Sequence, residues 1–374
     1  MAHPLFNLLS QVLSSVEVIG SQVRLLKTPL IAALLVIVSL QHETSAQQPN
    51  LPFALFERSL DQLRQEAGIP GLSAALVRDG QIIWERGFGM ADVERSVAAA
   101  PDTPYPIADI TQTLAAALAL QSVDRARFDL DDRILRWTNT IPEQSATVRQ
   151  VLMHTSTGAY RYDPTRYSAL TDVIEYNGGR QSFRKVIATE ILERSGMYSS
   201  VPGVDILTSP DRALFDPSQL ARYSGVLERV AVPYKVSSQR RATRSDYSSR
   251  PVNAGTGLVS TVRDMANFDA ALDENLFFDA DLRTLMWAPA GAVNGMRVPT
   301  GLGWFVQTYN NERLVWHFGL APDAYSSLVL KIPGRHLTLI LLANSDGLSS
   351  PFALGQGDVT TSLFAQAFLR VFIP

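Results

Sequence analysis

A run of Ala and Leu without any charged residue, from Leu114 to Ser122, is the feature that most constrains the fold of this chain. Pro104 and Pro106 break regular structure shortly before it. A helix that is apolar on all its faces lies in the interior of a protein, so we expect the rest of the chain to pack around this one. The residues just before the run are polar and include Asp109 and Gln112. We therefore expect the first turn of a buried helix to present these two side chains to a site.

The composition excludes several classes of function. The chain of 374 residues contains no cysteine, which rules out disulfides, thiolate metal sites and a cysteine nucleophile. It has five histidines, and no two of them form the H-x-x-x-H pair of a zinc hydrolase. The net charge is −3 and there is no long basic run, so we expect no nucleic-acid partner. We also expect neither a metal nor a cofactor.

The N-terminal residues 1–46 are predicted to be a signal peptide. Arg24 and Lys27 precede a mostly apolar run, Pro29–Leu40, that is short for a membrane-spanning helix. Small residues suited to cleavage follow at Thr44–Ala46. We expect a protein that is exported to the periplasm or the extracellular space. The alternative interpretation is an uncleaved N-terminal membrane anchor.

The mature chain, residues 47–374, is predicted to form one mixed α/β domain of the α+β type. The predicted elements are a helix at 52–65, strands at 72–77 and 81–88, the buried helix, further helices between 147 and 272, strands at 303–309, 314–318, 324–332 and 336–343, and a helix at 358–372. Strands near both chain ends, joined by tight turns, predict an antiparallel sheet flanked by the terminal helices. The sheet half comprises about 51–105 and 300–374, and a helical subdomain, about 106–299, is inserted between them.

A series of motifs along residues 52–372 points to a family. In order, they are TPYPIADITQT, FDLDDRI, VRQVLMHTSTG, RYDPTRYSALTDVIE, AGTGLVSTVRDMANF, WHFG and SSLVLKIPGRHLTLILLANSDG. Together they resemble the serine β-lactamase and penicillin-binding-protein superfamily, and most closely the class C β-lactamases with their esterase and DD-peptidase relatives. The resemblance implies a β-lactamase/transpeptidase-like fold and the frame of a serine hydrolase.

The family's nucleophile is a serine in an S-x-x-K motif at the start of the buried helix, and the lysine handles the proton. The resemblance places Asp109 at the serine position and Gln112 at the lysine position. A carboxylate attacks an acyl group only to give a high-energy anhydride. Its charge also opposes an oxyanion about 4 Å away by about 4 kcal/mol at an effective dielectric near 20. Gln112 cannot accept a proton at neutral pH, so we expect no acyl-serine chemistry.

The other family positions are partly retained. The tyrosine that assists proton transfer is present as Tyr162, but Pro164 replaces the substrate-holding asparagine of the Y-x-N motif. The strand motif H-x-G is present as His317–Gly319, with Phe318 at a substrate-contacting position. The resemblance implies that the backbone N–H of Leu320 is one donor of the oxyanion hole.

Asp109 and Gln112 have three interpretations. The spacing D-x-x-Q is that of a helix capping box, in which the carboxylate accepts the N–H of the third residue and the glutamine reaches back. This structural role is the one we expect. The alternatives are a carboxylate that binds a ligand and a catalytic acid or base.

Other polar residues have a structural and a functional interpretation. Tyr162 is either a retained packing residue or a ligand contact, and His317 is either a ligand contact with a pKa near neutrality or a structural histidine. His154 is expected to fix the loop that follows it. The basic run Arg240–Arg244 is expected to be solvated surface, with steering of an anionic ligand as the alternative. Ser156 is the candidate for a relocated nucleophile, although the chain has no G-x-S-x-G motif.

The sequence thus leads to three hypotheses of function. The first is an exported β-lactamase-related protein that has lost acyl-serine catalysis and retains a cleft for a peptidoglycan-like or small acyl ligand. The second is an active hydrolase of the same family that uses water activated by Asp109, His317 or Tyr162. The third is a structural or partner-binding module whose cleft stays empty.

Overall fold

The computed structural model describes residues 51–143, 145–247 and 251–373. The predicted signal segment, residues 1–46, lies outside them. No helix in this described part is both long and apolar enough to cross a lipid bilayer. From Pro52 onward the chain forms one compact unit.

The strands of the described residues are β1 (Gly71–Arg78), β2 (Gln81–Asp92), β3 (Val97–Ala98), β4 (Tyr105–Pro106), β5 (Tyr234–Val236), β6 (Ala242–Arg244), β7 (Val259–Ser260), β8 (Ala292–Val293), β9 (Met296–Arg297), β10 (Phe305–Tyr309), β11 (Glu312–Ala321), β12 (Tyr325–Ile332) and β13 (Leu337–Ala343). Seven of these form one sheet in the order β10-β11-β12-β13-β1-β2-β3. All its neighbouring strands are antiparallel, with β1 of the N-terminal part paired to β13 of the C-terminal part. The predicted antiparallel sheet is therefore confirmed.

The α-helices of the described residues are α1 (Leu51–Glu66), α2 (Thr111–Asp124), α3 (Val148–Leu152), α4 (Pro164–Tyr167), α5 (Leu170–Asn177), α6 (Phe183–Ile187), α7 (Pro217–Leu227), α8 (Val262–Asp273), α9 (Ala280–Met286) and α10 (Leu363–Phe372). A π-helical turn, Ala188–Glu193, continues α6. Helices α2 to α9 lie between the two parts of the chain that build the sheet.

The two faces of the sheet pack against different layers because successive strand residues point to opposite sides. On one face, Trp316 and Leu328 join a core cluster with Phe56 of α1 and Phe368 of α10. The opposite face belongs to a second cluster that contains α2. Every residue of α2 from Thr111 to Ser122 is buried, as its lack of charge predicts.

Several predicted boundaries were inexact. Strand β11 extends to Ala321 and so carries the whole His317–Gly319 motif within a paired strand. Helix α10 begins at Leu363, five residues later than predicted, because Ser362 caps it and residues Val359–Thr361 form a separate 3-10 turn. Helix α8 is capped by Thr261, whose side chain accepts the backbone N–H of Asp264.

Candidate active-site cleft

The position of Asp109 depends on a tight contact between the start of α2 and strand β11. Asp109 lies in a 3-10 turn, Ala108–Ile110, that leads directly into α2. Gly319 of β11 faces this turn, and a Cβ atom there would lie 2.3 Å from the carbonyl oxygen of Ile107. Ser327 on the adjacent strand also donates a hydrogen bond to that carbonyl, at 2.8 Å. Gly319 is therefore the residue that lets the sheet approach the turn that carries Asp109.

The backbone is strained one residue before Asp109. Ala108 has a φ of +48°, in the left-handed region that residues with a Cβ seldom adopt. Such strain persists only where surrounding contacts fix the conformation, and it is common beside functional side chains. Asp109, the next residue, lines a cleft together with Phe318 and Leu320 of β11.

Two groups interact with the carboxyl of Asp109. Tyr162 donates its hydroxyl to Oδ2 at 3.2 Å, and the backbone N–H of Leu320 lies close enough to lower the pKa of the carboxyl. The side chain is only 7% exposed. Burial, opposed by these two interactions, raises the pKa of Asp109 from 3.8 to about 7. The N–H that the family resemblance assigns to the oxyanion hole thus lies beside the protein's own carboxyl.

A chain of hydrogen bonds with one direction leads to this carboxyl. The backbone N–H of Asp163 donates to Nδ1 of His154 at 3.2 Å, so the histidine carries its proton on Nε2. That Nε2 donates to Oε1 of Gln112 at 3.0 Å, and Nε2 of Gln112 donates to the Tyr162 hydroxyl at 3.4 Å. Tyr162 then donates to Asp109. Because a backbone N–H fixes the first bond, every following donor points toward Asp109.

The capping-box interpretation of Asp109 and Gln112 is wrong. The N-cap residue of α2 is Ile110, and neither the 3-10 turn nor the helix receives a side-chain cap. The same D-x-x-Q spacing does form a capping box at Asp216 and Gln219, where the aspartate has an extended backbone. Asp109 cannot cap α2 in this way because it already lies within a helical turn. Its side chain faces the cleft, whereas that of Gln112 is buried between His154 and Tyr162.

The histidines of the site carry no charge at neutral pH. Burial lowers the pKa of His317 to about 4, and burial together with the nearby His317 lowers the pKa of His154 to about 3. The ligand-contact alternative for His317, with its pKa near neutrality, is therefore not supported. His317 is buried and its Nδ1 lies 2.7 Å from the carbonyl oxygen of Phe318, which supports the structural interpretation. It is not among the residues that line the cleft.

His154 is the site residue whose position the sequence reasoning missed. It was expected to fix the loop after it, and its carbonyl does accept the N–H of Arg161. Its ring, however, lies in the network between Gln112 and Asp163 and packs 4.7 Å from the Tyr162 ring. The HTSTG motif placed His154 only eight residues before Tyr162, and this proximity was the one available signal.

Asp109 lies in an open cleft with a volume of about 760 Å³. Tyr162 and three of the predicted substrate positions, Pro164, Phe318 and Leu320, line this cleft. The predicted position Gly319 acts through the close backbone contact described above. The other described lining residues are Thr165, Ser168, Asp246, Tyr247, Asn253, Thr256, Ala321, Pro322, Ser349, Ser350, Phe352 and Gly355. Ser156 and Arg240–Arg244 are not among them, so neither the relocated nucleophile nor steering by that basic run finds support.

Several known proteins are similar to this chain in sequence. A sequence model of the family described as Beta-lactamase matches residues 56–356. Penicillin-binding protein 4* of Bacillus subtilis is 21% identical over 307 residues, which cover 71% of this chain and 66% of that protein. The human serine beta-lactamase-like protein LACTB, mitochondrial, is 30% identical over 104 residues, which cover 26% of this chain. That match spans only 19% of the length of the human relative.

Solved structures share the fold. The octameric penicillin-binding protein homologue from Pyrococcus abyssi superposes with a TM-score of 0.66 and 21% identity, covering 84% of this chain and 76% of that one. D-amino acid amidase from Ochrobactrum anthropi SV3 has a TM-score of 0.62 and 18% identity, covering 84% of this chain and 99% of that one. At these identities the likeness establishes the architecture alone.

Proposed function

The chain belongs to the β-lactamase family, and we propose that within it this protein binds a ligand in the family's cleft without forming an acyl-serine. One observation carries the proposal. The carboxyl of Asp109 stands where the resemblance places the nucleophile, accepts the Tyr162 hydroxyl at 3.2 Å, and lies beside the Leu320 N–H that the resemblance assigns to the oxyanion hole. A substrate carbonyl would have to displace this carboxyl before it could reach the donor.

The groups around Asp109 also fail to supply a base for the family's mechanism. Gln112 is an amide, and its two polar ends are bonded to His154 and Tyr162. Burial and the neighbouring Asp109 raise the pKa of Tyr162 well above its ordinary value. The phenol therefore keeps its proton and donates it to Asp109 instead of accepting one.

The cleft itself supports a binding role. Its volume of about 760 Å³ suits a small molecule or a short peptide fragment, and its walls combine aromatic rings with hydroxyl groups. The sequence-based expectation of export completes the proposal: the protein would meet its ligand outside the cytoplasm. A mature chain beginning at Gln47, identified by mass spectrometry of exported protein, tests this part of the proposal.

A fluorescent penicillin and a p-nitrophenyl ester test the absence of acylation. We expect no covalent adduct by intact-protein mass spectrometry and no ester turnover above that of heat-denatured protein. The variant Asp109→Ser with Gln112→Lys is compared with each single variant, because only the double variant restores the S-x-x-K pattern. Covalent labelling of the wild-type protein at any serine would overturn the proposal.

A second candidate function rests on the raised pKa of Asp109. A carboxyl with a pKa of about 7 is partly ionised at neutral pH and has the strength of a general base for water. In that case ester turnover would occur without a covalent adduct, and Asp109→Asn would abolish it. If turnover survives in the double variant Asp109→Asn with His317→Ala, neither of these residues activates the water and Tyr162 is the group left to test.

A further inference from the structure

The described residues that line the cleft carry negative charge, whereas a site for carboxylate ligands needs positive charge. Two of its lining residues, Asp109 and Asp246, are acidic, and none of the described lining residues is Lys, Arg or His. Arg166 of helix α4 is a cation close in sequence to the lining residues Pro164 and Thr165. Its guanidinium pairs with Asp163 and Glu143, so its charge is already compensated.

Asp109 has acceptor capacity left for a ligand. A carboxylate offers about four lone-pair positions, and the Tyr162 hydroxyl and the neighbouring Leu320 N–H take up at most two of them. The side chain is more than nine-tenths buried and lines the cleft. Within the described residues, the hydrogen-bond chain from His154 consists of uncharged groups and brings no cation to this carboxyl. A ligand that donates hydrogen bonds and carries positive charge complements it.

The walls beside Asp109 are aromatic. The Tyr162 and Phe318 rings lie 5.1 Å apart, and Phe352 lines the same cleft. We call these three residues the aromatic wall. Faces of aromatic rings attract ammonium groups and pack well against flat apolar groups.

We propose that the cleft binds a primary ammonium group attached to an aromatic or similar apolar body, with Asp109 as the counter-ion and the aromatic wall around the apolar part. The inference rests on the proposed function, because it takes the cleft to hold a ligand and not an acyl intermediate. A carboxylate ligand would instead face Asp109 and Asp246 across a partly desolvated cleft, where like charges repel strongly.

Two probes of similar size and opposite charge, 2-phenylethylamine and 3-phenylpropanoate, test the proposal by isothermal titration calorimetry. The titrations are done near pH 8, where Asp109 is ionised because its pKa is about 7. The other groups that face it do not change charge there: burial keeps His154 and His317 neutral and keeps Tyr162 and Tyr160 protonated. We expect the amine to bind at least about tenfold more tightly than the carboxylate.

The Asp109→Asn variant should remove this tenfold preference, whereas Asp124→Asn, which deletes an exposed carboxylate at the end of α2, should keep it. If Asp109→Asn does not fold, Asp246→Asn at the exposed side of the cleft provides the second variant, with a partial loss expected. Equal or tighter binding of 3-phenylpropanoate, or no detectable binding of the amine, overturns the proposal. The penicillin-labelling experiment decides the loss of acylation separately, since neither probe contains an acyl group that can be transferred.

Discussion

Replacing Asp109 by asparagine should make the protein more stable at high pH and leave it nearly unchanged at low pH. Burial raises the pKa of Asp109 from 3.8 to about 7 in the folded protein, so the folded state binds this proton more tightly than the unfolded chain does. The stability that this proton contributes is fully present below about pH 4 and is lost as the pH rises through about 7. A difference of about three pKa units corresponds to about 4 kcal/mol.

Because asparagine cannot ionise, the variant escapes this loss. The free energy of unfolding of Asp109→Asn minus that of the wild type should increase by about 4 kcal/mol between pH 4 and pH 8. This is a large part of the about 5–15 kcal/mol that stabilises a typical domain. Subtracting the wild type at each pH also removes the contribution of other raised carboxyls, such as that of Asp264, which both proteins contain.

Urea unfolding followed by tryptophan fluorescence at intervals of one pH unit provides the measurement. Asp124→Asn serves as the matched control because it removes an exposed carboxylate from the same helix. A difference that stays constant with pH, or that falls as the pH rises, would refute the reasoning. Such a result would mean that the interactions with Tyr162 and Leu320 outweigh the burial of the carboxyl.

Two further predictions concern the packing of Gly319 beside the site and the buried ion pair between Lys331 and Asp269. Gly319→Ala should lower the melting temperature sharply or prevent folding, because the new Cβ would clash with the backbone of Ile107. The control Gly225→Ala lies in open space on a helix and should be neutral or stabilising by about 0.5–1 kcal/mol in thermal unfolding. Lys331 is 2% exposed and donates to Asp269 at 2.9 Å. Lys331→Met should therefore lower the free energy of unfolding in urea by about 3–5 kcal/mol at neutral pH. The loss should be smaller in acid, where the carboxylates lose their charge. Lys235→Met removes an exposed ion pair and should cost at most about 1 kcal/mol; an equal cost for the two lysine variants would contradict this account.

Local patterns in the sequence were sufficient for the fold and for most of the site's members. The absence of charge from Leu114 to Ser122 indicated a helix buried on all sides, because no solvated face can be built from such residues. Short β-rich runs between tight turns indicated an antiparallel sheet. The order of the motifs identified the family, and it placed Asp109 and Tyr162 in the same site although they are 53 residues apart.

The tertiary structure decided what those residues do. The D-x-x-Q spacing is the same at Asp109 and at Asp216, yet only Asp216 caps its helix. The difference arises from the backbone before each helix and from partners that are distant in sequence, Tyr162 and the N–H of Leu320. The role of His154, 42 residues from the glutamine it contacts, likewise follows from packing.

Ionisation was also beyond reach of the sequence. Burial shifts the pKa values of His317 and Asp109 in opposite directions because desolvation disfavours the charged form of each, leaving the histidine neutral and the carboxyl near its titration point at neutral pH. The sequence by itself determined the family and which side chains stand at the start of the buried helix. Only the folded chain determined that the Asp109 carboxyl lies beside the backbone N–H of Leu320, since that depends on how closely Gly319 lets strand β11 approach the 3-10 turn before the helix.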